Sequence, residues 1–244
     1  MAATDVTLFI SDLHLSAERP AITALFLNFI KTEARAARAL YILGDLFEYW
    51  IGDDAIDALG YGPTVAALRA LADAGIPLYV IPGNRDFLMG AGFERASGAR
   101  ILADPSLIDL YGVPTLIMHG DSLCTRDIEH MKFRALTRNP AWQREALAKP
   151  LAERQAMARH YREMSKTSMA GKDMEIMDVT PSAVEDILRA HHVHHVIHGH
   201  THRPAQHVIS LDGEKATRTV LGDWYEQGSV LRVTANEQKL ERLT

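Results

Sequence analysis

Five short segments of this 244-residue chain end in side chains that bind divalent metals, and they come in a fixed order. They are Asp12-Leu13-His14, Gly44-Asp45, Gly83-Asn84-Arg85-Asp86, His119-Gly120-Asp121 and His198-Gly199-His200-Thr201-His202. Imidazole nitrogens, carboxylate oxygens and an amide carbonyl form a mixed donor set that suits a pair of divalent transition ions. One carboxylate in such a set can bridge both ions, and a bridged pair activates water for in-line attack on phosphorus. Each motif alone says little: Asp-x-His reads as readily as a turn aspartate beside a surface histidine. Together they predict a metal-dependent phosphoesterase.

Most of these motifs follow a short apolar run. Residues 6–11, 39–43, 78–81, 115–118 and 193–197 read as buried strands. Residues 22–40 and 64–74 repeat apolar side chains at helical spacing, the second ending at Gly75 ahead of Pro77. Strand and helix alternate, which predicts an α/β fold with largely parallel pairing. Ligands of such sheets sit beyond the carboxyl ends of the strands, where Asp12, Asp45, Asn84, His119 and His200 all fall. Residues 125–190 break the alternation. Helix-like stretches at 128–138 and 142–164 predict a helical insertion, or lid, dividing a core of 1–124 and 191–244. Beyond Thr201, strand-like pieces at 206–210, 217–221, 230–233 and 239–243 are expected to form a second, more antiparallel sheet.

Composition narrows the setting. A hydrophobic share of 47% is ordinary for a globular chain and enough for a sizeable core. The single cysteine, Cys124, excludes an intramolecular disulfide and fits a reducing compartment. It reads as a packed thiol rather than a ligand. No basic and apolar leader opens the chain, and no apolar run reaches the roughly 18 residues of a membrane span. A cytoplasmic protein with only peripheral membrane contact is expected. Net charge is −5, and no aromatic-studded basic groove is visible, so nucleic acid is not an expected partner. Residues 126–172 nevertheless hold eleven Lys/Arg against five Asp/Glu, which suggests an anionic partner for that segment. His191, His192, His194 and His195 read as surface or helix-cap residues, and His198 as a buried neighbour of the ligands. Asp86 and Asp121 read as groups that orient ligands.

The motif order resembles the calcineurin-like metallophosphoesterase superfamily. Arg85 and the segment Trp50-Ile51-Gly52-Asp53-Asp54 resemble, within it, the branch that cleaves UDP-2,3-diacylglucosamine in lipid A synthesis. The likeness runs from about residue 8 to about residue 233. It implies a four-layer αββα sandwich of two mixed β-sheets carrying the helical insertion. It implies two divalent ions, one on Asp12, His14, Asp45 and His202, the other on Asp45, Asn84, His119 and His200, with Asp45 bridging; the mixed nitrogen and oxygen donors suit two Mn²⁺ ions most, with Fe, Co or Zn as alternatives. The implied reaction is attack of water on the α-phosphorus, giving UMP and 2,3-diacylglucosamine 1-phosphate, with Asp45, Asn84 and Arg85 at the chemistry. Implied substrate contacts are Asn84, Arg85, Asp127, Ser165, Met169, Lys172 and His200. Met169 stands where the family usually keeps a small polar residue. Implied partners are the lipid-linked UDP-sugar and the cytoplasmic face of the inner membrane, met peripherally by a monomer. Apolar residues of the insertion, among them Phe133, Trp142 and Tyr161, are candidates to line an acyl groove.

Arg85 bears on the leaving group. A guanidinium does not release its proton in proteins, so it cannot serve as a general acid. It can hold a phosphoryl group through two parallel hydrogen bonds. That favours a leaving group that departs without a proton, such as a phosphate with a second pKa of about 6. The alternative is another metal-dependent nucleotide-diphosphate hydrolase or phosphodiesterase with a soluble substrate. A non-catalytic scaffold of the same fold would be expected to have lost ligands.

Overall fold

A computed structural model describes residues 5–169 and 176–244. Apolar runs near the N-terminus form β1 (Thr7–Ile10), whose four residues are all buried. Helix α1 (Pro20–Lys31) follows, started by a proline in its first turn, where a missing N–H is harmless. Then come β2 (Ala39–Leu43), α2 (Gly62–Asp73), β3 (Leu78–Ile81), α3 (Ala91–Ser97) and β4 (Arg100–Ile101). β1 pairs in parallel with β2 from Thr7–Ala39 to Ile10–Ile42, and β2 with β3 from Leu40–Leu78 to Leu43–Ile81. This register brings the three carboxyl ends to one rim. The loops bearing Asp12, Asp45 and Asn84 leave from that rim.

The rest of the chain builds the other layers. β5 (Ser106–Leu110) and β6 (Val113–Met118) form a hairpin. Next come α4 (Ile128–Thr137), α5 (Pro140–Leu147) and α6 (Leu151–Met169), within the stretch expected to be an insertion. α7 (Pro181–His191), β7 (His195–His198), β8 (Ala205–Leu211), β9 (Glu214–Val220), β10 (Gly228–Val233) and β11 (Gln238–Leu243) complete the fold. The sheets run β11-β10-β1-β2-β3-β4 and β5-β6-β7-β9-β8. Phe9, Leu43 and Ile81 from the first sheet meet Leu110, Ile117 and Ile197 from the second in one apolar cluster. Phe26 and Phe29 of α1 and Leu68 of α2 pack behind the first sheet, and Val184 and Leu188 of α7 behind the second. The four-layer αββα sandwich of two mixed sheets is therefore the observed architecture. Helix α7 falls within the expected 125–190 insertion but packs as an outer layer of the core.

Three expectations need correction. The helix expected over 22–40 ends at Lys31, and a short 3₁₀ turn at Ala34–Ala36 leads into β2. The later apolar residues of that stretch are buried as strand, not as helix. The helix expected over 142–164 is two helices, because Pro150 lacks the N–H that a continuous helix needs. The C-terminal strands do not form one sheet. β8 and β9 join the second sheet, whereas β10 lies antiparallel to β1 and carries β11. Alternation marks a strand but not the sheet it joins.

Trp50 ties the first rim together. It is 2% exposed and lies 5.0 Å from Phe47 and 5.4 Å from Phe93, edge to face with the latter. Its Nε1 donates to Asp53 Oδ1 at 3.0 Å. Asp53 also accepts from Gly90 N and Gly92 N at the start of α3. Trp50→Ala should cost about 3–5 kcal/mol, seen as a lower denaturant midpoint with an unchanged slope.

Candidate metal centre

The site begins with the backbone. Asp12, His14, Asp45, His200 and His202 adopt left-handed conformations, with φ of 57°, 49°, 52°, 67° and 55°. Such turns cost roughly 1–2 kcal/mol for a side-chain-bearing residue and persist where surrounding contacts fix them. Asp12 N donates to Gly44 O at 3.0 Å and His14 N to Asp45 O at 2.9 Å, so the first two loops hold each other. Gly44 has φ +90°, and a Cβ there would lie 2.3 Å from His119 Nδ1. Its lack of a side chain lets the His119 ring lie against the Asp45 loop.

The side chains converge from there. His202 Nε2 lies 3.3 Å from Asp12 Oδ1. His14 Nε2 is 3.8 Å from one oxygen of Asp45, and His119 Nε2 is 3.7 Å from the other. His119 Nε2 is also 2.9 Å from Asn84 Oδ1, while its Nδ1 donates to Leu43 O at 2.9 Å. His200 N donates to Asp12 Oδ2 at 2.9 Å, and its ring lies 5.1 Å from that of His119. All seven residues of the expected ligand set thus form one connected group. Asp12, His14 and His202, and likewise Asp12, Asp45 and His119, bring donor atoms within 4.8 Å of one another.

This donor set fits divalent ions on electrostatic grounds. Burial pushes the Asp45 carboxyl up to about 7 despite His119. Burial would also raise Asp12, but His202, His119 and His14 outweigh it and hold Asp12 below the ordinary carboxylate range. Burial drives His14 down to about 3 and, with His119, holds His200 well below its usual value. Both nitrogens of His14 are buried without a hydrogen-bond partner. Buried carboxylates and orphaned imidazole nitrogens are costly by themselves, and cations among them would satisfy both.

A second ring of groups was not assigned from sequence. Glu48 lies 3.7 Å from His14 Nδ1, and Asp223 lies 3.2 Å from His202 Nδ1. Carboxylates of this kind fix the orientation and basicity of metal-binding imidazoles. Gly222-Asp223 just after β9 repeats the pattern of Gly44-Asp45 after β2, a signal available in the sequence. Tyr225 stacks on His14 at 5.6 Å, and His130 of α4 packs 5.1 Å from His200. Asp86 accepts from Leu46 N and Gly83 N, joining two ligand loops. Asp121 accepts from Arg134 Nε at 3.0 Å. His198 is buried, and its Nδ1 donates to Gly199 O at 2.8 Å.

The other candidates are placed as follows. Arg85 N donates to Asp45 Oδ1 at 2.9 Å, and Arg85 O accepts from Trp50 N. Among the described residues its guanidinium has no ion-pair partner within 4.0 Å, and its Nε is buried without a hydrogen bond. Asp127 caps α4 and accepts from His130 N at 3.1 Å. Ser165 is half-buried on α6. Lys172 and the side chain of Met169 lie outside the described residues. Cys124 is packed, and burial with Asp121 pushes its thiol up to about 12. His194 pairs with Glu214 and His195 with Thr217, both outside the ligand group. Several cations of the basic segment turn inward. Arg134 bridges Asp104 and Asp121, Arg154 clasps Asp54 and Ile51 O, and Arg162 lies 2.9 Å from Glu48. Among the described residues no helix is long and apolar enough to cross a membrane.

The calcineurin-like phosphoesterase family matches residues 6–204, and the chain belongs to that family. It is accordingly a hydrolase of the metallophosphoesterase class, whose chemistry uses divalent metal. Three curated relatives carry one name, UDP-2,3-diacylglucosamine hydrolase. That of Xanthomonas campestris pv. campestris is 51% identical over 248 residues, covering 97% of this chain and 98% of the relative. That of Pseudomonas paraeruginosa is 54% identical over 231 residues, covering 94% and 95%. That of Klebsiella pneumoniae subsp. pneumoniae is 53% identical over 234 residues, covering 96% and 97%.

Metal binding should release protons. Burial depresses His119 and His202, but Asp45 and Asp12 outweigh it for His119, and Asp12 with Asp223 for His202. The two rise to about 9 and about 10. Near pH 7 each imidazole therefore holds a proton that an arriving ion must displace. Affinity should rise with pH until about pH 9 to 10, where the two imidazoles lose their protons, with proton release measurable by calorimetry in buffers of different ionisation enthalpy. Binding without proton release would mean that neither imidazole is a ligand.

Proposed function

We infer that this chain hydrolyses the pyrophosphate bond of UDP-2,3-diacylglucosamine, giving UMP and 2,3-diacylglucosamine 1-phosphate. The observation that carries the reading is Arg85, whose backbone N–H is fixed on Asp45 and whose guanidinium has no ion-pair partner among the described residues. The shared name of relatives at 51% and 54% identity over nearly the whole of both chains supports the same substrate.

In this reading Asp12, His14, Asp45 and His202 hold one ion, and Asp45, Asn84, His119 and His200 the other. Nitrogen and oxygen donors without thiolate suit Mn²⁺, with Fe, Co or Zn as alternatives. The two ions, when bound, supply an activated water nucleophile and positive charge beside the phosphoryl group. Asn84 offers a neutral donor, which limits negative charge where an anionic substrate must come. Arg85 binds the phosphoryl oxygens and stabilises charge as the bond breaks. It donates no proton, and the departing phosphate requires none. In this reading His200, Arg85, Asp127 and Ser165 contact the substrate, while Lys172 and the Met169 side chain lie outside the described residues.

The acyl chains need an apolar wall next to these charges. Phe87, two residues past Arg85, lies 6.4 Å from Phe133 and 6.0 Å from Trp142, and Phe133 lies 5.1 Å from Tyr161. All four rings are only half-buried. They support residues 125–190 as a substrate-binding lid. Ile128, Leu136, Leu147 and Met164 are exposed on α4, α5 and α6, which supports peripheral contact of a monomer with the cytoplasmic face of the inner membrane.

Turnover of UDP-2,3-diacylglucosamine by the Mn²⁺-loaded protein in H₂¹⁸O should place the label in UMP, read by mass spectrometry. Label in the sugar phosphate would overturn attack at the α-phosphorus. No turnover, with hydrolysis of simple nucleotide diphosphates, would sink the substrate assignment. Arg85→Ala should lower kcat by about 10²–10³. Arg85→Lys should recover only part, because an ammonium lacks the planar fork.

A further inference from the structure

We propose that Arg138, the residue closing α4, is a positioning residue for the Asn84 loop, so that the insertion sets the geometry of the metal centre as well as covering it. The inference rests on the reading of Asn84 as a metal ligand. Helix α4 presents His130, Arg134 and Arg138 at four-residue intervals, which places them on one face. Each reaches a different part of the rim. The His130 ring packs on His200, and Arg134 ties Asp121 to Asp104. Arg138 Nη2 donates to Pro82 O at 2.9 Å and to Gly83 O at 3.0 Å.

Those two carbonyls immediately precede Asn84. The N–H groups of the same loop are held elsewhere. Gly83 N donates to Asp86 Oδ1 at 2.7 Å, and Arg85 N to Asp45 Oδ1 at 2.9 Å. A Cβ on Gly83 would lie 2.1 Å from Asp45 Oδ1, so the backbone there is pressed against the carboxylate. The segment 82–85 is thus gripped by carboxylates through its N–H groups and by a guanidinium through its C=O groups. Pinning Gly83 O fixes the peptide plane that ends in Asn84 N, and with it the direction in which the Asn84 side chain starts. Hydrogen bonds to a charged donor are stronger than neutral ones, which suits a clamp that must resist loop rotation. Sequence periodicity places Arg138 on a basic helix but does not reveal that it faces inward.

The test compares native protein with Arg138→Gln, Arg138→Lys and, as a control, Lys132→Gln on the solvent side of α4. Free Mn²⁺ followed by electron paramagnetic resonance gives the binding isotherm of each. Hydrogen–deuterium exchange follows the amides of residues 83–86. Arg138→Gln should weaken one of the two metal positions about tenfold, leave the other near native and speed exchange at 83–86. Arg138→Lys should restore part of both, and Lys132→Gln should change neither. Where the native protein turns over UDP-2,3-diacylglucosamine, kcat of Arg138→Gln should fall with little change in KM. Equal loss at both positions, no loss at either, or native exchange at 83–86 would overturn the proposal. If the native protein does not turn over that substrate, the functional reading falls while the metal and exchange data still decide the role of Arg138.

Discussion

A carboxylate buried at the rim where strands end is tolerable only where its charge is answered, and the structure is arranged around that demand at Asp45. Removing such a group from water costs several kcal/mol even after relaxation. His119 favours its charged form, a backbone N–H reaches it from Arg85, and the neighbouring residue 83 has no side chain to crowd it. The parallel register of β1, β2 and β3 brings those answering groups to one rim. Divalent ions bound there would supply the remaining positive charge.

The insertion takes on a different character once its contacts are seen. Its excess of Lys and Arg suggests a cationic surface waiting for an anion. Yet Arg134, Arg138, Arg154 and Arg162 turn inward, onto Asp121, the carbonyls of Pro82 and Gly83, Ile51 O and Glu48. Charge counted along a sequence does not separate a cation that meets solvent from one that braces a loop. Among the described residues the Arg85 guanidinium has no ion-pair partner, and the rings of Phe87, Phe133, Trp142 and Tyr161 are half-buried.

How much could be read in advance followed the range of the interaction. Asp12, His14, Asp45, Asn84, His119, His200 and His202 were legible because each stands just beyond an apolar run. The rule that loops at strand carboxyl ends converge then brought them into one place. The four-layer architecture followed from the family likeness. Glu48, Asp223, Tyr225 and His130 were not legible, since each is defined by what it touches across the fold. The allotment of β10 and β11 to the first sheet was hidden for a similar reason. Residues 230–233 and 206–210 show similar strand character, and only the partners β1 and β9 tell them apart. Pro150 marks the break between α5 and α6, although the helical spacing of apolar residues runs on across it.

The left-handed turns at Asp12, His14, Asp45, His200 and His202 have a consequence for how such a centre can change. Aspartate, asparagine, histidine and glycine enter that backbone region far more readily than other residues. The same short list supplies hard and borderline donors and contains no thiolate. At these five positions a cysteine, or a branched or longer side chain, is opposed first by the chain's own dihedral angles, before coordination chemistry is consulted. The hardness of the metal site is in this sense inherited from backbone shape. Drift towards a sulfur-loving ion would require rebuilding turns, not merely exchanging ligands.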